Sequence, residues 1–262
     1  MSTQHPVIIL AGGKGMRLRP HADLVPKALV PVGGMPVIWH VMKLYSRCGY
    51  RHFVIALGHK GDIIAEWFER YRARRCHYTL SMDGSPHRYH AALPDDERDW
   101  TITFVHTGED TQTGGRVLRA RAFVETDHFL ATYADGLSSV DIAAIARTHL
   151  DQGLPATMLS VLSPSRFGVV EAVDGKVTRF EEKPHSHIRI NGGFFMFHRS
   201  IFDRISGDDA VLERDVLEPM AREGLLGVHE YDGFWHCLDT QKDLHTLERL
   251  WSSGHAPWST GR

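Results

Sequence analysis

Cysteine is scarce in this chain. Cys48, Cys76 and Cys237 are spread over 262 positions, odd in number and in no paired spacing. That excludes a disulfide framework and a cysteine-rich zinc motif and fits a reducing compartment. Long hydrophobic runs are missing too. None approaches the ~20 residues that span a bilayer, so no membrane association is expected. The N-terminus has no basic segment followed by an apolar one, and no signal peptide is predicted; the expected location is cytoplasmic. Neither sign of charge is in excess, with 30 Lys and Arg against 32 Asp and Glu. A chain-wide polyanion-binding surface is therefore excluded, and nucleic acid is not expected as a partner. The 18 histidines include no His-x-x-x-His with a partner carboxylate, so no zinc site is predicted. No internal repeat or clear linker is found. With 42% apolar residues, the chain has the composition of a soluble globular protein and the length of one large α/β domain or two small ones.

The most informative stretch is Val7-Ile8-Ile9-Leu10-Ala11-Gly12-Gly13-Lys14-Gly15-Met16-Arg17-Leu18. A β-branched and aliphatic run stops at two glycines, which predicts a buried strand feeding a tight loop. Lys14, Gly15 and Arg17 follow, and Lys27 comes ten residues after Arg17. Glycines let backbone N–H groups close on an anion, and Arg and Lys add charge. That chemistry suits the phosphates of a nucleoside triphosphate, although Gly12-Gly13 alone is also an ordinary turn. No Gly-Lys-Ser/Thr closes a Walker loop, and a dinucleotide fingerprint would need glycine at Leu18.

Further along, apolar spacing predicts helices over 36–49, 63–71 and 240–251, with strands over 53–57 and 102–105. The alternation argues for βαβ units and a parallel sheet. Residues 82–100 are polar and read as a long excursion, a lid or a subunit contact. Gly114 and Gly115 open a predicted helix, where exposed N–H groups favour an anion, or form a capped turn. A strand over 129–133 ends at Ala134-Asp135-Gly136, putting a carboxylate where parallel sheets bind ligands; Asp135 can equally cap a helix beginning near Val140. Asp174-Gly175 predicts a hairpin turn between strands at 169–173 and 177–180, and 216–221 reads as a helix. The expected division is a single domain over 1–262, with a nucleotide-binding half to about 150 and an acceptor-binding half over about 151–262.

The first loop together with Pro26-Lys27 resembles the signature of sugar-1-phosphate nucleotidyltransferases, the sugar-nucleotide pyrophosphorylases. The resemblance extends through Trp39 to Ser46, Gly58-His59-Lys60-Gly61, Thr113-Gly114-Gly115-Arg116, Tyr133 to Gly136, Glu182-Lys183-Pro184, Asn191 to Phe195, Gly233-Phe234-Trp235 and Leu238-Asp239-Thr240. It points to the glucose-1-phosphate cytidylyltransferase branch. The resemblance implies a Rossmann-like, mostly parallel mixed sheet flanked by helices, of the nucleotide-diphospho-sugar transferase type. It also implies that CTP and a sugar 1-phosphate give a CDP-sugar and pyrophosphate, with Mg2+ as cofactor. Arg17, Lys27 and Asp135 would be catalytic, and Asp135 and Asp239 would hold the metal. Leu10, Ala11, Gly12, Gly13, Lys14, Gly15, Met16, Thr111, Gly114 and Arg116 would bind nucleotide, and Lys183, Asn191 and Gly192 the acceptor. A homo-oligomer is expected, with the 82–100 excursion and the aromatic C-terminus as contact surfaces. The chain departs from the pattern at Met16, at Ala134, at Asp23-Leu24-Val25-Pro26 and at His236-Cys237, which stand where the glucose enzymes usually carry Thr, Gly, a lysine-rich approach and Gln-Pro. Those departures leave the acceptor open. UTP or dTTP as donor, a non-glucose phosphate or phosphonate acceptor, and a non-catalytic nucleotide-binding homologue are the competing readings.

Overall fold

A computed structural model describes residues 5–13, 25–164, 168–182 and 185–259. Seven strands form the central sheet: β1 (Val7–Ala11), β2 (His52–Leu57), β3 (Thr101–His106), β4 (His128–Tyr133), β5 (Ala156–Pro164), β6 (His185–His198) and β7 (Leu226–Tyr231). Their spatial order is β7-β5-β6-β4-β1-β2-β3. The β1–β2, β1–β4, β2–β3 and β5–β7 pairs are parallel, and β6 alone runs antiparallel to its neighbours β5 and β4. The sheet is thus mostly parallel and mixed, as expected.

Alternation along β1 divides the core. Val7, Ile9 and Ala11 face one apolar layer, while Ile8 and Leu10 face the other, as period-2 geometry requires of a strand buried on both sides. The first layer holds α1 (Val37–Arg47), α2 (Gly61–Glu69), α4 (Ile142–Gln152) and α5 (Gln241–Ser252); the second holds α3 (Thr113–Arg119) and the helical segments over 212–222. Helix α1 begins after Pro36, buries Val37, Ile38, Val41 and Tyr45 completely, and yields to Gly49 at φ +86°. That is the proline-start, glycine-stop asymmetry of an amphipathic helix. The predicted hairpin turn is present, with Asp174 and Gly175 both at positive φ.

One sequence expectation changes, and the excursion over 82–100 packs on the body at its C-terminal end. Its acidic run forms a short helix, Asp95–Arg98, whose Glu97 is 4% exposed. Lys43 on α1 donates to Asp96 and, at 3.3 Å, to Glu97, and the Tyr71 hydroxyl donates to Glu97. A buried carboxylate is tolerable because these donors satisfy it. The helix expected at 216–221 begins earlier, as a wide turn over Leu212–Leu217 that continues into Glu218–Arg222.

The C-terminus is clasped to α1 by aromatic rings. Trp258 is 2% exposed; it stacks on Phe234 and Trp251, and its indole N–H donates to His40 Nδ1 at 3.3 Å. His40 Nε2 lies 2.8 Å from the Val32 carbonyl. A carbonyl only accepts, so Nε2 carries the proton and Nδ1 is left as the acceptor for Trp258. Burial pushes the His40 pKa down to about 4. The unfolded imidazole, near pH 6.5, takes a proton that the folded one refuses. This stabilisation is complete above about pH 6.5 and is lost as the pH falls towards 4, on the order of 3 kcal/mol in all. Urea titrations at pH 7, 5.5 and 4 should show the loss, and His40→Gln should flatten this part of the profile. An unchanged slope in the variant would move the effect to another group.

Candidate active site

The carboxyl ends of β1 and β4 open on a cavity of about 730 Å³. Ligands of open parallel sheets bind at this edge. Leu10, Ala11, Gly12 and Gly13 form one wall, Glu109 to Thr113 with Arg116 a second, and Tyr133 to Asp135 a third, with Lys27, Ala28, Cys237 and Asp239 at the remaining side.

Lys27 opens a short turn, Lys27–Leu29, whose Ala28 and Leu29 are buried. Its ammonium bridges two carboxylates, donating to Asp135 and, at 2.6 Å, to Asp239 Oδ1. The side chains of all three are 16–23% exposed. Burial works against the charge on Lys27, but the attraction of Asp135 and the hydrogen bonds to both aspartates outweigh it and raise the pKa above its ordinary value. Lys27 therefore stays protonated at any physiological pH.

Backbone pairing brings the aspartates together. Asp135 lies two residues past the end of β4, and Gly136–Ser138 then pairs antiparallel with Trp235–Cys237, setting Cys237 opposite Gly136. The Leu238 N–H donates to the Asp135 carbonyl at 3.0 Å. Asp239 precedes α5, where Thr240 and Asp243 form a reciprocal capping box, so a carboxylate stands next to the positive end of a helix dipole. The helix-capping alternative for Asp135 is not what the fold uses, because Asp141 caps α4 through the Ala143 N–H at 3.0 Å. Ligand atoms of Asp135, Cys237 and Asp239 all lie within 4.8 Å of one another. The sequence signal for Cys237 was only that it departs from a pattern.

Arg116 is 5% exposed and lines the cavity, but its guanidinium is committed to protein oxygens. It donates to Thr107 Oγ1 at 2.5 Å and to the carbonyls of Gly108 at 2.9 Å, Glu109 at 3.1 Å, Leu57 at 3.2 Å and Gly12 at 3.5 Å. It binds the first loop to the loops after β2 and β3. Gly12 is a glycine for this reason: a Cβ there would stand 2.1 Å from Arg116 Cζ, and one on Gly58 would stand 2.3 Å from its Nη1. Gly13, by contrast, has no described residue within 4 Å of a Cβ position.

The glycines at the start of α3 do not present a free anion cradle. Gly114 and Gly115 donate to the Ala210 carbonyl at 2.8 and 3.2 Å, and Gly114 packs there rather than on the cavity wall. A Cβ on it would meet that oxygen at 2.7 Å. Thr111 lines the cavity with its hydroxyl turned to the Thr107 carbonyl at 2.5 Å. Asn191, on β6, accepts from the Gly193 N–H at 2.8 Å and reaches the Tyr133 hydroxyl at 3.5 Å; the Gly192 carbonyl accepts from Trp235 Nε1 at 2.8 Å. Tyr133 donates in turn to Glu213, which also takes the Thr113 hydroxyl at 2.7 Å. Tyr133 opens the Tyr133 to Gly136 motif but was given no role from the sequence, and Glu213 carries no motif. Lys14, Gly15, Met16, Arg17 and Lys183 lie outside the described residues.

Residues 6–247 match the nucleotidyl transferase family. A glucose-1-phosphate cytidylyltransferase of Salmonella typhimurium is 39% identical over 255 residues, covering 97% of this chain and 98% of the relative. A probable glucose-1-phosphate cytidylyltransferase of Bacillus subtilis is 36% identical over 252 residues, covering 96% and 98%. The fold is shared with the crystal structure of HddC from Yersinia pseudotuberculosis, at TM-score 0.69 and 20% identity, over 95% of this chain and all of that one.

The Gly12–Arg116 contact is testable by a double-mutant cycle. Gly12→Ala should cost about 1–3 kcal/mol of stability from overpacking. In an Arg116→Ala background the same change should cost at least about 1 kcal/mol less, because the clash has gone. Denaturant unfolding measures both; additive costs would remove Arg116 as the reason for the glycine.

Proposed function

This chain belongs to the nucleotidyl transferase family, and we propose that it is a cytidylyltransferase that joins CTP and a sugar 1-phosphate, giving a CDP-sugar and pyrophosphate. The observation that carries the reading is the lysine held between two aspartates at the mouth of β1 and β4. The end-to-end likeness to glucose-1-phosphate cytidylyltransferases supports the nucleotide and the acceptor class. Glucose 1-phosphate is the first acceptor to try.

In such a transfer the sugar phosphate oxygen attacks the α-phosphorus in line and pyrophosphate leaves, so the protein's work is positioning and charge neutralisation. The backbone at Gly12 and Gly13, on the cavity wall, suits contact with the nucleotide. Lys27 supplies positive charge to the α-phosphate as negative charge builds there. Arg17 is assigned to the leaving β,γ-phosphates, and Lys183, Asn191 and Gly192 to the acceptor. Arg116 holds the loops and reaches the nucleotide only through them.

The site fits a divalent cation. Among Lys27, Asp135 and Asp239 the negative charges outnumber the positive one, and an ammonium already settles between the carboxylates. Asp135 and Asp239 would hold Mg2+, which when bound offsets phosphate charge as a Lewis acid. A cytoplasmic homo-oligomer is part of the same proposal. It is supported by the hairpin over 169–181, whose Val170, Val173, Val177 and Phe180 are 54–63% exposed, since an isolated two-stranded hairpin is marginal in water. No described helix is long and apolar enough to cross a membrane.

Pyrophosphate release should appear with CTP, Mg2+ and a sugar 1-phosphate in a matrix of five nucleotides against a panel of acceptors. Lys27→Met should lower kcat by about 10²–10³-fold with an unchanged circular dichroism spectrum. Full activity in the variant would remove Lys27 from the chemistry, and release only with another nucleotide would overturn the cytidylyl reading.

A further inference from the structure

Tyr133 and Thr113 line the cavity without a part in the transfer. Both are tied to one carboxylate. Glu213 takes the Tyr133 hydroxyl on Oε1 and the Thr113 hydroxyl, at 2.7 Å, on Oε2. The Thr113 oxygen in turn accepts the Leu212 N–H at 2.9 Å. A carboxylate holding a hydroxyl on each oxygen accepts from both. Tyr133 has a single proton, and Glu213 has claimed its direction. Burial, with the Glu213 charge beside it, pushes the Tyr133 pKa up, so the proton stays. Towards any other group the Tyr133 oxygen can only accept.

Its neighbour is set in the opposite sense. Asn191 lies on β6, beside β4. Its side-chain oxygen accepts the Gly193 N–H at 2.8 Å, which turns the amide nitrogen to the Tyr133 oxygen at 3.5 Å. That contact is long for a hydrogen bond, so neither the amide protons nor the phenol lone pairs are used up. The ring is held as firmly. Gly193 is at φ +78°, a Cβ on it would stand 2.6 Å from Tyr133 Cδ2, and Phe195 meets the ring edge-on with centroids 5.8 Å apart.

A fixed donor beside a fixed acceptor is the complement of a hydroxyl, which gives one hydrogen bond and takes another. Resting on the reading of Asn191 as acceptor-binding, we propose that Tyr133 and Asn191 together read a single hydroxyl of the sugar 1-phosphate. The hydroxyl donates to Tyr133 Oη and accepts from Asn191 Nδ2. Glu213 is a positioning residue, which acts by keeping Tyr133 an acceptor. A site built around a hydroxyl rejects the analogue that lacks it, because its own polar groups are then left without a partner.

The test is steady-state kinetics on the full chain with CTP and Mg2+. The acceptors are the sugar 1-phosphate that wild type turns over fastest, glucose 1-phosphate being tried first, and its analogues lacking one hydroxyl each. In wild type one analogue should fall at least about tenfold below the parent in kcat/KM. In Tyr133→Phe the same two acceptors should come within about threefold of each other, because the parent loses a bond that the analogue never made. Glu213→Gln, whose amide cannot accept from both hydroxyls, should narrow the same gap, and it decides the matter if the phenylalanine variant fails to fold. A merely structural loss would lower parent and analogue alike. An unchanged gap in the folded variants, or no gap in wild type, overturns the proposal. If CTP gives no turnover with any sugar 1-phosphate, the proposed function itself falls, and the hydroxyl-reading pair falls with it.

Discussion

One ammonium between two carboxylates sets the terms for the rest of this site. Lys27 reaches Asp135 and Asp239 from 108 and 212 positions away in the chain, and each of the three comes from a different element. Two aspartates this close repel each other in a partly buried place, and removing the cation between such groups costs about 3–5 kcal/mol. The fold meets that cost by making all three positions rigid. The Lys27 turn sits on buried Ala28 and Leu29, Asp135 lies between a central strand and the ribbon that follows it, and Asp239 is fixed by that ribbon and the capped helix after it. A phosphate entering the cavity meets an ammonium whose charge the two aspartates already offset, so a divalent cation held by them is what would turn the site positive.

Rigidity reaches Lys27 from a second direction. The turn leads into residues 31–36, where Gly33 donates to Glu248 on α5 at 3.0 Å and lies under Trp251, 2.0 Å from where a Cβ would stand. Trp251 stacks on Trp258, and Arg47 on α1 donates to the Trp258 carbonyl at 2.5 Å. Rings bury much area at small conformational cost, and their N–H groups fix direction. The aromatic C-terminus, expected to serve subunit contacts, here braces the active-site floor from behind.

Much of the architecture was legible in local signals. The aliphatic run at 7–11, the stop at Gly12, the proline–glycine bounds of α1 and the Asp174-Gly175 turn are short-range patterns, and each produced the element it implied. The docking of the 95–98 helix was not legible. A polar, acidic run reads as solvated until a lysine and a tyrosine from elsewhere are known to meet it, as Lys43 and Tyr71 meet Glu97.

Glycine illustrates where the boundary falls. The sequence by itself determined that the backbone at residues 12–13 is unusual, because only glycine would be spared a side chain there. Which neighbour demanded it was decided by tertiary structure: Gly12 yields to the guanidinium of Arg116, 104 positions away, while no described residue stands within 4 Å of a Cβ on Gly13. The same holds for Gly114, which lies against Ala210, and for Cys237, brought beside two aspartates by strand pairing. Local propensity acts over a few residues and can be read from spacing. Contacts between distant segments depend on how the strands order themselves in the sheet, and no spacing along the chain records that order.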